Sequence, residues 1–129
     1  MAIASAFRPL SCANVTAETY KLVWFVPAEA LDATRDAVFG AGAGRIGEYE
    51  RCSWYAEGTG TFLAGEGADP TLGERGREER VAELRVETVV PAARAGEVVA
   101  ALVAAHPYEE VAFDLYPLVP GVTSLISSP

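Results

Sequence analysis

The 129-residue sequence has one histidine, two cysteines and one methionine, and its 10 basic residues face 18 acidic ones. Each shortage excludes a class of function. Cys12 and Cys52 stand far apart without CxxC spacing, so neither a disulfide framework nor a four-thiolate zinc site fits within one chain. Such sparse thiol usage suits a reducing, cytoplasmic setting. The net charge of -8 is not offset by any basic cluster. Nucleic-acid phosphate and anionic membrane surfaces repel a protein of this kind, so neither is an expected partner. No apolar run approaches the ~18 residues of a membrane span. A single histidine with no nucleophile placed beside it gives no Ser-His-Asp arrangement, and no nucleophile-elbow motif is present.

What is present is a globular composition, 50% hydrophobic and 22% charged, in a length that suits one domain. The first 19 residues lack the basic start and apolar core of a signal peptide and are expected to form a flexible arm. Residues 20–118 form the expected domain, and residues 119–129, rich in proline, glycine and serine, read as a tail.

The domain contains an internal repeat. Tyr20 to Trp54 aligns with Leu84 to Leu118 when Pro27 is placed over Pro91, and each half reads strand, Val-Pro, helix, turn, strand. Proline ends a strand because it has no ladder donor, while its fixed φ suits the first turn of a helix. Ala30, Leu31, Thr34, Ala37, Val38 and Ala41 recur at helical spacing, as do Ala95, Val98, Val99, Leu102, Val103 and Ala105. Two such halves give an α+β, ferredoxin-like βαββαβ fold, an antiparallel four-stranded sheet with two helices on one face. The strand Leu22 to Val26 is apolar at both parities, whereas a sheet with one wet face should alternate. This predicts that a second subunit covers the open face, which makes a homo-oligomer the expected partner, or else that the N-terminal arm or the C-terminal tail covers it.

Between the halves, residues 56–80 combine six glycines with a dense run of charge. The stretch reads as a mobile solvated excursion, with Thr59 to Leu63 as at most one short strand, or as a loop that touches a ligand or partner. Within it Gly58, Thr59, Gly60 and Thr61 offer bare N–H groups and two hydroxyls, a candidate anion nest for a small ligand. Gly42, Gly44 and Gly47 match GxGxxG by letter. They follow a helix and precede a strand, the reverse of a dinucleotide fingerprint, so they read as helix termination.

His106 stands where the second helix must stop, because Pro107 forces it out of the helical region. Its first expected role is to cap the last carbonyls of that helix. Its second is to join Glu109 in a divalent-metal site completed by water or another subunit.

Several segments carry a resemblance: Tyr20-Lys21-Leu22-Val23, Phe25-Val26-Pro27, the glycine turn from Gly42 to Tyr49, Gly58 to Phe62, Gly73-Glu74, Arg85 to Pro91, and His106-Pro107-Tyr108-Glu109-Glu110. Together they resemble the PII-like domain that occurs alone in bacteria and as an insert in YqfO/YbgI-type proteins, the NGG-interacting-factor-three-like family. His106 to Glu109 is also similar to the His-Pro-Tyr-Glu segment of CutA-type divalent-cation tolerance proteins, although Val111-Ala112 replace the proline and acid found there. The resemblance implies a trimer-forming regulatory architecture and, as cofactor, at most a divalent metal ion. It implies a non-catalytic module that binds a small molecule or divalent cation, or else an accessory subunit that docks on a separate dinuclear-metal enzyme. The shortage of catalytic groups points away from an enzyme in its own right.

Overall fold

Val26-Pro27 and Val90-Pro91 mark the same point in both halves. After each proline, at φ -65° and -61°, the chain makes one 3-10 turn and then an α-helix. The structure, a computed structural model, describes residues 17–68 and 76–119. In chain order it has β1 (Thr19–Val26), a 3-10 turn (Ala28–Ala30), α1 (Leu31–Gly40), β2 (Ser53–Leu63), β3 (Glu78–Pro91), a 3-10 turn (Ala92–Arg94), α2 (Ala95–Ala105) and β4 (Phe113–Pro117). The strands form one antiparallel sheet in the order β2-β3-β1-β4. This is the ferredoxin-like arrangement expected from the repeat. Among the described residues no helix is long and apolar enough to cross a membrane.

Directly opposite residues of an antiparallel pair share a face, so the register sorts the strands. Leu22, Trp24 and Val26 of β1 share one face with Leu84, Val86 and Val90 of β3 and Leu115 of β4. These side chains form the core with Val38 of α1 and Val98, Val99 and Leu102 of α2. Burying each contributes about 1.5 to 3 kcal/mol before entropy is counted. Trp24 is fully buried and donates its indole N–H to the hydroxyl of Thr34 at 3.0 Å. That hydroxyl lies 3.0 and 2.9 Å from the carbonyls of Ala30 and Leu31, so the one polar pair beneath α1 is satisfied. Val103 differs from its expected place: it is 47% exposed and points away from the core.

The opposite face carries the other apolar residues of β1. Val23 is fully buried within the single chain, between Glu87 and Asp114 on the neighbouring strands. Phe25 is half-buried beneath the guanidinium of Arg85, 5.7 Å from its ring centre. Charged side chains shield apolar surface with their stems, so the double parity of β1 does not of itself require a second subunit. Apolar surface nevertheless stays exposed on that face, at Trp54 of β2, which is 59% exposed and shares the face with Val23 through Glu87, and at Tyr116 of β4, which is 46% exposed.

The glycine turn behaves as a terminator. Gly42, Gly44 and Gly47 all have positive φ, and Arg94 donates from Nε and Nη2 to the Ala41 carbonyl at 3.1 and 3.0 Å, closing the end of α1. At Gly44 a Cβ would come within 2.7 Å of the Phe39 ring, so this position needs glycine for space as well as for conformation.

Both ends of the stretch 56–80 are ordered sheet rather than an excursion. Residues 56–63 belong to β2 and residues 78–80 to β3, joined in one continuous register that runs from Ser53 opposite Thr88 to Leu63 opposite Glu78. Residues 69–75, with Gly73-Glu74, fall outside the described residues, as do residues 1–16 of the expected arm and 120–129 of the expected tail, whereas Thr19, expected in the arm, belongs to β1.

Candidate binding cleft

β1 pairs with β3 only from Leu84 onward, so residues 78–83 of β3 and their partners in β2 project as a two-stranded overhang. The chain leaving α2 runs along it. Its position is set by the Phe25 N–H, which donates to the Ala112 carbonyl at 3.2 Å. Overhang and returning chain enclose a cleft of about 380 Å³, within the range of small-molecule sites. Phe62, Leu63, Ala64 and Val81 line its apolar part, while Glu83, Glu109 and Glu110 are its acids.

The two segments singled out in the sequence thus meet, although not in the roles expected. Gly60 and Thr61 line the cleft; Gly58 and Thr59 lie further along β2, outside the lining. All of Gly58, Thr59, Gly60 and Thr61 are extended strand paired with residues 80–83. Successive N–H groups of a strand point to opposite edges, so these residues do not make the concave anion nest that their composition suggested. What Gly60 contributes is space, because a Cβ there would overlap the carboxylate of Glu83.

Glu83 and Tyr108 dominate the electrostatics of the cleft. Burial holds the Glu83 carboxyl above the usual carboxylate value. The Tyr108 phenol is likewise raised, first by burial and then by the neighbouring charges of Glu83 and Glu29. The Tyr108 hydroxyl is buried and has no hydrogen-bond partner among the described residues. Buried tyrosine hydroxyls ordinarily find one.

His106 sits behind this wall, 7% exposed. Its Nε2 is 2.7 Å from the Phe25 carbonyl, and its Nδ1 accepts the Tyr108 backbone N–H at 3.1 Å. A carbonyl can only accept and an amide N–H can only donate, so the ring is neutral with its proton on Nε2. Burial lowers its pKa, opposed by the bond to Phe25. The expected cap on α2 is therefore made by the backbone, His106 N–H to the Leu102 carbonyl at 3.0 Å, while the ring ties the helix end to β1. The ring also packs edge-on against Tyr108, with centroids 4.9 Å apart.

A metal role for His106 with Glu109 fits this arrangement poorly. Both ring nitrogens are engaged within the chain, and a metal needs a free lone pair on one of them. Among the described residues no three His, Cys, Asp or Glu side chains converge as a metal cage.

Glu83 and Tyr108 were missed as functional residues in the sequence. Glu83 was not singled out in the sequence, and only the strand assignment, with its period of two, could have put it on one face with Val81. Tyr108 lay inside a noted motif whose chemistry was read from its histidine and acids.

Comparison with known proteins follows the same outline. No family model matches the chain. The GTP cyclohydrolase 1 type 2 homolog of Mycobacterium tuberculosis is 58% identical over 104 residues, which are 81% of this chain and 27% of that protein. The crystal structure of a Bacillus cereus protein related to NIF3 is 48% identical with a TM-score of 0.70, covering 82% of this chain and 27% of that one. This chain therefore spans about a quarter of the length of such relatives. The divalent cation tolerance protein CutA of Archaeoglobus fulgidus, 14% identical with a TM-score of 0.60, covers 83% of this chain and 90% of its own. GlnK of Bacillus subtilis, 11% identical with a TM-score of 0.52, covers 78% and 84%. At these identities CutA and GlnK speak for the fold alone. High identity to one group and shared architecture with the other lead to a single placement: the chain is homologous to one segment of the NIF3-related proteins and GTP cyclohydrolase 1 type 2 homologs, a segment with the PII- and CutA-like fold.

Proposed function

We propose that this chain is a non-catalytic binding or regulatory module that takes a small molecule in the cleft between the β2–β3 overhang and residues 106–112. The buried, unpartnered Tyr108 hydroxyl carries this reading, because a ligand in the cleft would supply the hydrogen bond that the chain does not. A small molecule is favoured over a divalent cation by the dispersed acids and the engaged histidine. Amide chemical shifts recorded against a fragment library test the site. Hits should cluster at residues 60–64, 81–83 and 108–112. Hits confined to other surfaces, or none at all, would remove the cleft from consideration.

The module acts as an oligomer in this reading, with a trimer as the expected form. Support comes from the edge strand β2, which is 11 residues long and carries exposed Trp54 and Tyr55. Long, apolar strand edges are normally paired or covered. Sedimentation at micromolar concentration should show a species larger than the monomer, and a monomer there would rule this out.

A second reading is that the chain docks as an accessory subunit on a separate dinuclear-metal enzyme of the same family. Gel filtration of the chain mixed with the Mycobacterium tuberculosis homolog lacking its matching 104 residues tests it. Co-elution is the expected result, and independent elution would discard the docking model.

A further inference from the structure

The described lining of the cleft is one-sided in charge. Glu83 and Glu110 line it, and no lysine, arginine or histidine among the described residues does. The next residue along that face of β3, Arg85, is engaged with Glu87 at 3.0 Å. Glu83 itself forms no ion pair with a described residue, although burial already disfavours its charged form. An acidic, partly desolvated pocket in a chain of net charge -8 repels phosphates and carboxylates and attracts cations. The remaining wall is apolar, formed by Phe62, Leu63, Ala64 and Val81. A bare metal ion would gain nothing from that wall, and the acids are too dispersed to form a metal cage.

We infer that the cleft selects an organic cation, a small molecule with a protonated amine and an apolar or aromatic body. The inference rests on the cleft being the ligand site. The ammonium group lies by Glu83 and gives one N–H to the Tyr108 hydroxyl oxygen, the buried acceptor that lacks a partner. The body lies against Phe62 and Val81, with the ring of Tyr108 offering a π face. Pairing of this kind restores to Glu83 the favourable environment that burial removes. Gly60 is required because its missing Cβ leaves the Glu83 carboxylate room to stand at the mouth of the apolar part.

Three probes with one body and three charges test this: 2-phenylethylammonium, 2-phenylethanol and 3-phenylpropionate, each titrated at millimolar concentration into the full chain while backbone amide shifts are followed. The ammonium should shift amides of residues 60–64, 81–83 and 108–112, binding at least about tenfold tighter than the alcohol. The carboxylate should leave them unmoved. In Glu83→Gln the ammonium should fall to within about threefold of the alcohol, with unchanged amides at Leu22 and Val86 confirming the fold. Glu110→Gln, at an exposed position, should reduce the same preference in part and serves if Glu83→Gln does not fold. Equal binding of the alcohol or the carboxylate at the cleft overturns the cationic selectivity while leaving a ligand cleft in place. A preference undiminished in Glu83→Gln also overturns it. Failure of all three probes to shift the cleft amides removes both the selectivity and the cleft reading.

Discussion

The carboxylate of Glu83 occupies the space that a side chain at Gly60 would need, so a glycine on one strand and an acid on its neighbour form a matched pair at the mouth of the cleft. The pairing explains why a strand interior tolerates a residue that ordinarily weakens it. It also separates effects on the site from effects on the fold.

Gly60→Ala should act on the site. The displaced group is the end of a flexible side chain, so Glu83 turns outward while the ladder persists. Stability should stay within about 1 kcal/mol of the parent. Carboxyl NMR titration should show Glu83 falling back toward its ordinary value of 4.5. A large loss of stability with shifted amides along β2 would mean that the pair is rigid.

Glu83→Gln should raise stability slightly at neutral pH. A carboxyl whose folded pKa is raised binds its proton more tightly in the folded state, so stability falls as pH rises from the ordinary 4.5 through the raised value. Glutamine removes that loss. Melting curves should show the variant above the parent at pH 7 and level with it in acid, below the ordinary value. A constant offset at every pH would assign the effect to packing instead.

His106→Ala strands the Phe25 carbonyl and the Tyr108 N–H, and should cost about 1 to 3 kcal/mol in chelator and in added zinc alike. Its folded pKa is lowered, so the stability due to neutral His106 is complete above the ordinary 6.5 and is lost as pH falls from there through the folded value. Urea midpoints of parent and variant should therefore converge in part below pH 6. A zinc-induced rise in melting temperature that only the parent shows would make His106 a metal ligand.

Thr34→Val keeps the volume beneath α1 and removes the acceptor for the Trp24 indole N–H. A buried donor without a partner should cost about 1 to 3 kcal/mol. Urea unfolding should show a lower midpoint with an unchanged slope. A change within error would mean that the indole finds another acceptor.

Much of the architecture is written in local pattern. Val26-Pro27 and Val90-Pro91 set where strands give way to helices, the spacing of Thr34, Val38, Val98 and Leu102 sets the buried helix faces, and Gly42 and Gly44 end α1 through their φ. These are interactions between residues near in sequence, so the sequence by itself determined them and, through the repeat, the ferredoxin-like order of elements. The cleft was decided otherwise. Whether residues 56–63 and 78–80 wander or pair depends on register across the sheet, and glycine with dense charge reads locally as solvated chain. Whether Val23 needs a partner depends on Arg85, Glu87 and Asp114 standing beside it on other strands. Whether His106 can hold a metal depends on the Phe25 carbonyl, 81 positions away in the chain. Such contacts exist only once the chain has closed on itself, and so tertiary structure alone could set His106 behind the wall and Glu83 and Tyr108 at the cleft.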